Sequence, residues 1–214
     1  MKQNTTELVF ILDRSGSMAG LESDTIGGFN SMLEKQRKLG GACRVTTVLF
    51  DDRYELLHDR IDVHATSPID ETQYFVRGST ALLDAVGRTV HKIASAQQHT
   101  AVEYRADKVM IVIITDGYEN ASREYSLSAI KSLIEREKKD YGWEFIFLGA
   151  NIDAIETAGQ FGISADRAQN YHADRQGTAV NFAAIGSAAA CLRTQGRMPE
   201  DWDAEIRKDF ESRK

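Results

Sequence analysis

Proline and cysteine are both scarce in this chain: two of each in 214 residues, Pro68, Pro199, Cys43 and Cys191. No Pro-rich spacer exists and no Ser/Gly-rich run replaces it, so no linker divides the sequence. The cysteines are far apart and in no metal-ligand spacing. That excludes a disulfide framework or a zinc ribbon and reads as two free thiols in a reducing compartment. No apolar run approaches the roughly 20 residues of a membrane helix. The stretch Met1 to Glu7 is polar, with no basic segment, apolar core and cleavage site, so no secretory signal is visible. The expectation is a cytoplasmic protein without a membrane contact. Positive charge is also short. Lys and Arg number 26 against 32 Asp and Glu, a formal net charge of −6. With no basic stripe, nucleic acid is not expected as a partner. A Gly-x-x-x-x-Gly-Lys-Ser/Thr sequence is absent, which excludes a P-loop. The first loop also lacks the Gly-x-Gly-x-x-Gly of a dinucleotide site. His58, His64, His91, His99 and His172 have no mutual spacing that suggests a ligand cluster, and are read as structural or exposed.

What is present is an apolar content of 42%, enough for one substantial core. Leu8–Leu12 and Val109–Ile114 are continuously apolar, Val45–Phe50 is β-branched, and Trp143–Leu148 is rich in aromatics. Short uninterrupted runs of this kind suit parallel strands covered on both faces. Asp51-Asp52-Arg53 would turn Val45–Phe50 back into Tyr54–Leu57 as an antiparallel edge, and Gln169–His172 would form a short last strand. Helical stripes lie between them: Ile26, Phe29 and Leu33 within about 21–39, then Leu82, Val86, Val90 and Ile93, then Leu127, Ile130 and Ile134. Ala154–Gln160 and the Ala-rich Thr178–Leu192 complete the set. Strands alternating with helices predict an α/β fold of the Rossmann-like, doubly wound type. Its central sheet is mostly parallel with one antiparallel edge strand, and helices cover both faces. Residues 1–197 are taken as the domain and 198–214 as a charged tail forming a short helix, docked through Trp202.

In such a sheet ligands bind beyond the carboxyl ends of the strands. Three loops carry small oxygen donors there. Asp13-Arg14-Ser15-Gly16-Ser17 follows the first strand, Gly78-Ser79-Thr80 precedes a helix, and Thr115-Asp116-Gly117 follows the central strand. Taken singly, each has an ordinary reading. Asp13 or Thr80 would serve as a helix cap, Ser15 and Ser17 as turn formers, and Asp116-Gly117 as a turn. Taken together, they are hard donors suited to a small divalent cation.

The set resembles the von Willebrand factor A (vWA) domain and its metal-ion-dependent adhesion site (MIDAS), over about Glu7 to Leu192. The family pattern, Asp-x-Ser-x-Ser, then Thr, then Asp in a Thr/Ser-Asp-Gly turn, reads here as Asp13, Ser15, Ser17, Thr80 and Asp116. The resemblance implies that these five hold a metal, directly or through water. Only two of them are charged, so the ion would keep a position for a carboxylate from a partner. Magnesium or manganese suits such a set. Calcium usually wants more carboxylates, and zinc lacks its Cys or His. Some family members add a calcium site on acidic residues after the second serine. This chain has Met18-Ala19-Gly20 there, which argues against one.

Arg14, Asp51, Tyr118 and Glu119 are candidates for the rim of the site or for groups behind it. Arg14 would pair with an acidic partner or stand solvated, and Glu119 and Asn120 have surface positions as their plainer reading. The implied function is a non-catalytic, metal-dependent protein-binding module. Its partner presents Asp or Glu, and its setting is an adaptor role in an intracellular multi-protein complex. The alternative is a metal-assisted phosphohydrolase or phosphotransferase using Asp13, although Ser15 stands where such an enzyme wants a second aspartate.

Overall fold

The computed structural model describes residues 4–213. Its strands are β1 (Thr6–Asp13), β2 (Cys43–Phe50), β3 (Tyr54–Asp62), β4 (Lys108–Thr115), β5 (Glu144–Gly149) and β6 (Ala168–Asn170). The helices are α1 (Glu22–Arg37), α2 (Leu82–Gln98), α3 (Leu127–Tyr141), α4 (Ala154–Gln160), α5 (Arg175–Gln195) and α6 (Ala204–Ser212). One sheet holds all six strands in the order β3-β2-β1-β4-β5-β6. All neighbours are parallel except β2 and β3.

Alternation along β1 explains the two layers. Leu8, Phe10 and Leu12 point to one face and meet α1, α5 and the tail through Phe29, Phe182, Trp202 and Ile206. Val9 and Ile11 point to the other, against Val86 and Ile93 of α2 and Ile130 of α3. Both faces are buried, which is why the strands read as unbroken apolar runs.

The edges of the sheet depart from the sequence reading. β3 runs to Asp62 rather than Leu57, because its pairing with β2 continues through irregular register near Thr47. β6 stops at Asn170, and Tyr171 and His172 already belong to the loop entering α5. The tail carries the expected short helix, α6. Trp202 docks it, buried, with its indole N–H donating to the Asp166 carbonyl at 2.8 Å. Both cysteines are free thiols. Among the described residues, no helix is long and apolar enough to cross a membrane.

Candidate metal centre

The connection from β1 passes through α1 on one face of the sheet. The connection into β4 passes through α2 on the other. Neighbouring strands whose connections diverge leave a crevice beyond their carboxyl ends. Asp13 is the last residue of β1 and Thr115 the last of β4, so both face that crevice, and Asp116 is the next residue on.

The five candidate donors converge there. The Ser15 backbone N–H donates to Asp13 Oδ1 at 2.7 Å, and the Thr115 hydroxyl donates to Asp13 Oδ2 at 2.6 Å. The Thr80 hydroxyl lies 3.0 Å from Ser15 Oγ, which lies 3.1 Å from Ser17 Oγ. Gly117 seals the group: a Cβ there would stand 3.0 Å from Ser17 Oγ and 3.2 Å from Thr80 Oγ1. The turn needs glycine because the hydroxyls occupy that space.

The electrostatics are unbalanced. Asp13 is fully buried and Asp116 is 2% exposed. Neither has an ion-pair partner among the described residues. Burial pushes the Asp13 carboxyl up to about 6 and raises that of Asp116. Both oxygens of Asp116 are buried with no hydrogen bond within 3.5 Å, and the nearby Ser17 hydroxyl only partly offsets the effect of burial on its carboxyl. An ionised carboxylate held this way costs several kcal/mol unless a cation accompanies it. No group of three or more His, Cys, Asp or Glu among the described residues is placed to hold a metal. The donor set is therefore two carboxylates and three hydroxyls, all hard oxygens, and it fits a divalent cation that prefers oxygen.

Of the candidates for the rim or for groups behind it, two take the second place. Arg14 does not stand solvated or reach a partner: it is fully buried. Its Nε donates to Asp51 Oδ2 at 3.2 Å, its Nη2 to Glu55 Oε2 at 2.6 Å and its Nη1 to the Gln73 carbonyl at 3.0 Å. Asp51 forms the expected hairpin turn, accepting from the Arg53 N–H at 2.7 Å, but it too is fully buried and away from the rim. It also accepts from Arg77 at 2.5 Å, and its carbonyl accepts from the Ala81 N–H at 2.9 Å. One aspartate thus ties the Asp13–Ser17 loop to the loop that presents Thr80. Gly78 between them has φ +66°, and a Cβ there would fall 2.3 Å from Asp52 Oδ1.

No protein-family model and no curated protein sequence matches this chain. Solved structures do share its fold. The PilB minor pilin from Streptococcus sanguinis aligns with a TM-score of 0.61 at 13% identity, over 92% of this chain and 64% of that one. Proximal thread matrix protein 1 from the mussel byssus, with a zinc-occupied MIDAS motif, aligns at 0.59 and 15%, over 88% and 46%. A von Willebrand factor type A structure from Catenulispora acidiphila aligns at 0.55 and 13%, over 88% and 43%. The fold is that of a vWA domain. The chain spans less than two thirds of the length of each of these structures, and at such identities the likeness is one of fold.

Within this vWA fold, two residues that hold the donors escaped the sequence reading, Thr115 and Tyr74, while Asn120 takes a place behind the site rather than its plainer surface one. Asn120 lies in the loop after β4 but grips Thr80: its Oδ1 accepts from the Thr80 N–H at 2.9 Å, and its own N–H donates to the Thr80 carbonyl at 3.0 Å. Thr115 orients Asp13 through the bond given above. Tyr74 donates its hydroxyl to the Asp13 carbonyl at 2.5 Å. Glu119 is neither a rim group nor an idle surface residue. Its carboxylate accepts from the N–H groups of Leu83, Ala121 and Ser122 and from the Ser122 hydroxyl, fastening the loop to the start of α2. Tyr118, two residues after Asp116, is 63% exposed.

Proposed function

We propose that this chain is a divalent-metal-dependent protein-binding module, and that Asp13, Ser15, Ser17, Thr80 and Asp116 hold the ion. The observation that carries this reading is the Asp116 carboxylate, buried without a partner beside a cluster of three hydroxyls. Magnesium is the ion of first choice. Magnesium or manganese would suit a set of hard oxygens with only two carboxylates, whereas calcium usually takes more of them. The bound metal supplies an electrophilic centre whose remaining position takes an outside carboxylate. Two protein carboxylates only balance a divalent charge, so a third, from an Asp or Glu of a partner, is attracted through the open coordination position. The proposal includes an adaptor role in a cytoplasmic multi-protein complex, without catalysis. No specific feature favours Asp13 as the nucleophile of a phosphohydrolase, and Ser15 stands where such an enzyme wants a second aspartate.

The test is calorimetric titration of magnesium, manganese, zinc and calcium into the chelator-treated protein, followed by capture of partners from the native host with and without chelator. Magnesium or manganese binding at one site, with capture lost in chelator, is the expected result. Capture indifferent to chelator, or turnover of a phosphoester lost in Asp13→Asn, contradicts it.

Two further outcomes are expected. Asn120→Ala removes the side-chain bond to the Thr80 N–H and keeps the backbone bond to its carbonyl. It touches no donor atom, and should weaken magnesium binding about tenfold with the far-UV spectrum unchanged. The pH dependence follows from Asp13. Its carboxyl holds a proton more tightly in the fold than in the unfolded chain, so its contribution to stability is full below pH about 4. That contribution is lost as pH rises through about 6. The metal-free protein should therefore melt higher at pH 5 than at pH 7, as far as this group decides, and magnesium should remove the difference. Thermal melts at the two pH values, with and without magnesium, check both statements.

A further inference from the structure

The pole of the sheet opposite the candidate metal centre carries a pocket of about 80 Å³. It lies at the amino ends of β4 and β5, between the last turns of α2 and α3. Ala94, Val109 and Trp143 give it apolar walls. A protein cavity of about 150 Å³ holds benzene, so this one takes about three heavy atoms, the tip of a side chain.

Its polar groups select a neutral occupant. Arg105 and Asp107 line it, but both are engaged. Arg105 Nε donates to the Thr100 carbonyl at 2.8 Å and its Nη2 to the Gln98 carbonyl at 3.0 Å, while Asp107 Oδ2 accepts from the Thr5 N–H at 3.1 Å. Glu137 is 1% exposed and takes both bonds from Arg136 on Oε1, at 2.9 and 2.7 Å, which leaves Oε2 as an acceptor. Gln97 Oε1 accepts from the Ala106 N–H at 3.0 Å. That bond fixes the orientation of the amide and leaves Nε2 a buried donor without a partner. A group that accepts from Gln97 and donates to Glu137 satisfies both, and a carboxamide does so with three heavy atoms. A carboxylate would oppose Glu137, and an ammonium would oppose the Gln97 amide hydrogens.

The surroundings favour a protein segment over a free small molecule. Tyr141 lines the pocket and is 54% exposed. Val102 and Tyr104, also exposed, lie on the loop from Gln98 to Arg105, two residues of the lining. Large apolar groups gathered on one exposed surface mark an interaction site. We infer that this pole is a further interaction surface: a partner segment places the carboxamide of a Gln or Asn in the pocket, with apolar neighbours against Tyr141, Tyr104 and Val102. The inference does not depend on the metal.

The probes are capped pentapeptides with Gln, Asn, Glu, Lys or Leu at the centre of leucine and glycine flanks, and free propionamide. They are titrated into the full chain while the indole N–H resonances are read by NMR. The chain has two tryptophans, and Trp202, bonded to the Asp166 carbonyl, is the internal control. A Gln or Asn peptide should shift the Trp143 resonance saturably, with a dissociation constant of about 1 mM, in magnesium and in chelator alike. It should bind about tenfold more tightly than the Glu, Lys and Leu peptides. Gln97→Glu keeps the acceptor for the Ala106 N–H and removes the donor, so the preference for the carboxamide should vanish. Ala94→Leu fills the pocket and should abolish the shift. The inference is overturned by an unmoved Trp143 resonance, by Glu, Lys or Leu peptides binding as tightly as the Gln and Asn ones, or by a preference that survives both variants. Propionamide binding as tightly as the peptides makes the occupant a free amide, and self-association that shifts Trp143 without peptide makes it a second copy of this chain. Either result overturns the partner segment, and all of these leave the metal reading standing.

Discussion

Asp116→Asn should raise the melting temperature of the metal-free protein and abolish the further rise that magnesium gives. The two effects have one cause. The Asp116 carboxylate is 2% exposed and neither oxygen has a hydrogen-bond partner, so its charge works against the fold until a cation arrives. Replacing the carboxylate by an isosteric amide removes that charge, at a gain of about 1 kcal/mol. In the wild type, magnesium at about a hundred times its dissociation constant contributes about 2.7 kcal/mol. For a chain of this size that is a rise of about 5–10 °C. The variant should show almost none of it. If Asp116 were an ordinary turn residue, Asn would leave the melting temperature nearly unchanged and the magnesium shift intact. Differential scanning calorimetry with and without magnesium separates the two cases. Asp13 is a poorer probe, because its oxygens also hold Ser15 and Thr115 and its loss disturbs the loop directly.

Arg14→Met should cost about 3–5 kcal/mol of stability, the usual penalty for removing one partner from a buried ion pair. Arg14 has no exposed surface, and three acceptors surround its guanidinium. Asp51 keeps Arg77 and the Arg53 N–H, which places the loss toward the lower end of that range. Arg14→Lys should restore little, because an ammonium cannot reach a fork of three separate acceptors. A solvated arginine at this position would change stability by less than about 0.5 kcal/mol in either variant. Urea denaturation of the three proteins gives the answer. The metal site should weaken with the fold, since Arg14 stands between Asp13 and Ser15 and fixes the loop that carries both.

Much of the fold was legible because burial on both sheet faces leaves a plain mark, the uninterrupted apolar runs of β1 and β4 and the β-branched run of β2. The edges were less legible. The extension of β3 depends on an irregular register with β2, and the early end of β6 on the loop that follows it, and neither has a local pattern. The five candidate donors were legible because they lie in three short loops, each with a glycine, at strand ends or a helix start, in the order of the vWA pattern. The residues that hold those donors were not, because their partners are distant in sequence. Arg14 reads as a loop cation until β1 and β2 are paired. The register Asp13↔Phe50 then sets Arg14 beside Asp51, and the Arg14 N–H bonds the Phe50 carbonyl at 2.8 Å. The Asp51-Asp52 turn was visible in the sequence, so the counter-charge was present and only the register was missing. Asn120 reads as a surface residue or a group behind the site, and its hold on Thr80 depends on the approach of the Thr80 loop, which no spacing along the chain reveals.

The most direct test is an anomalous difference map from crystals of the full chain soaked in manganese. A single strong peak is expected within bonding distance of the Ser15, Ser17 and Thr80 hydroxyls, with Asp13 and Asp116 around it. One coordination position should be held by water or by a carboxylate from a neighbouring molecule. A map with no peak at saturating manganese, or with its peak away from these five residues, contradicts the assignment of this crevice as a metal site.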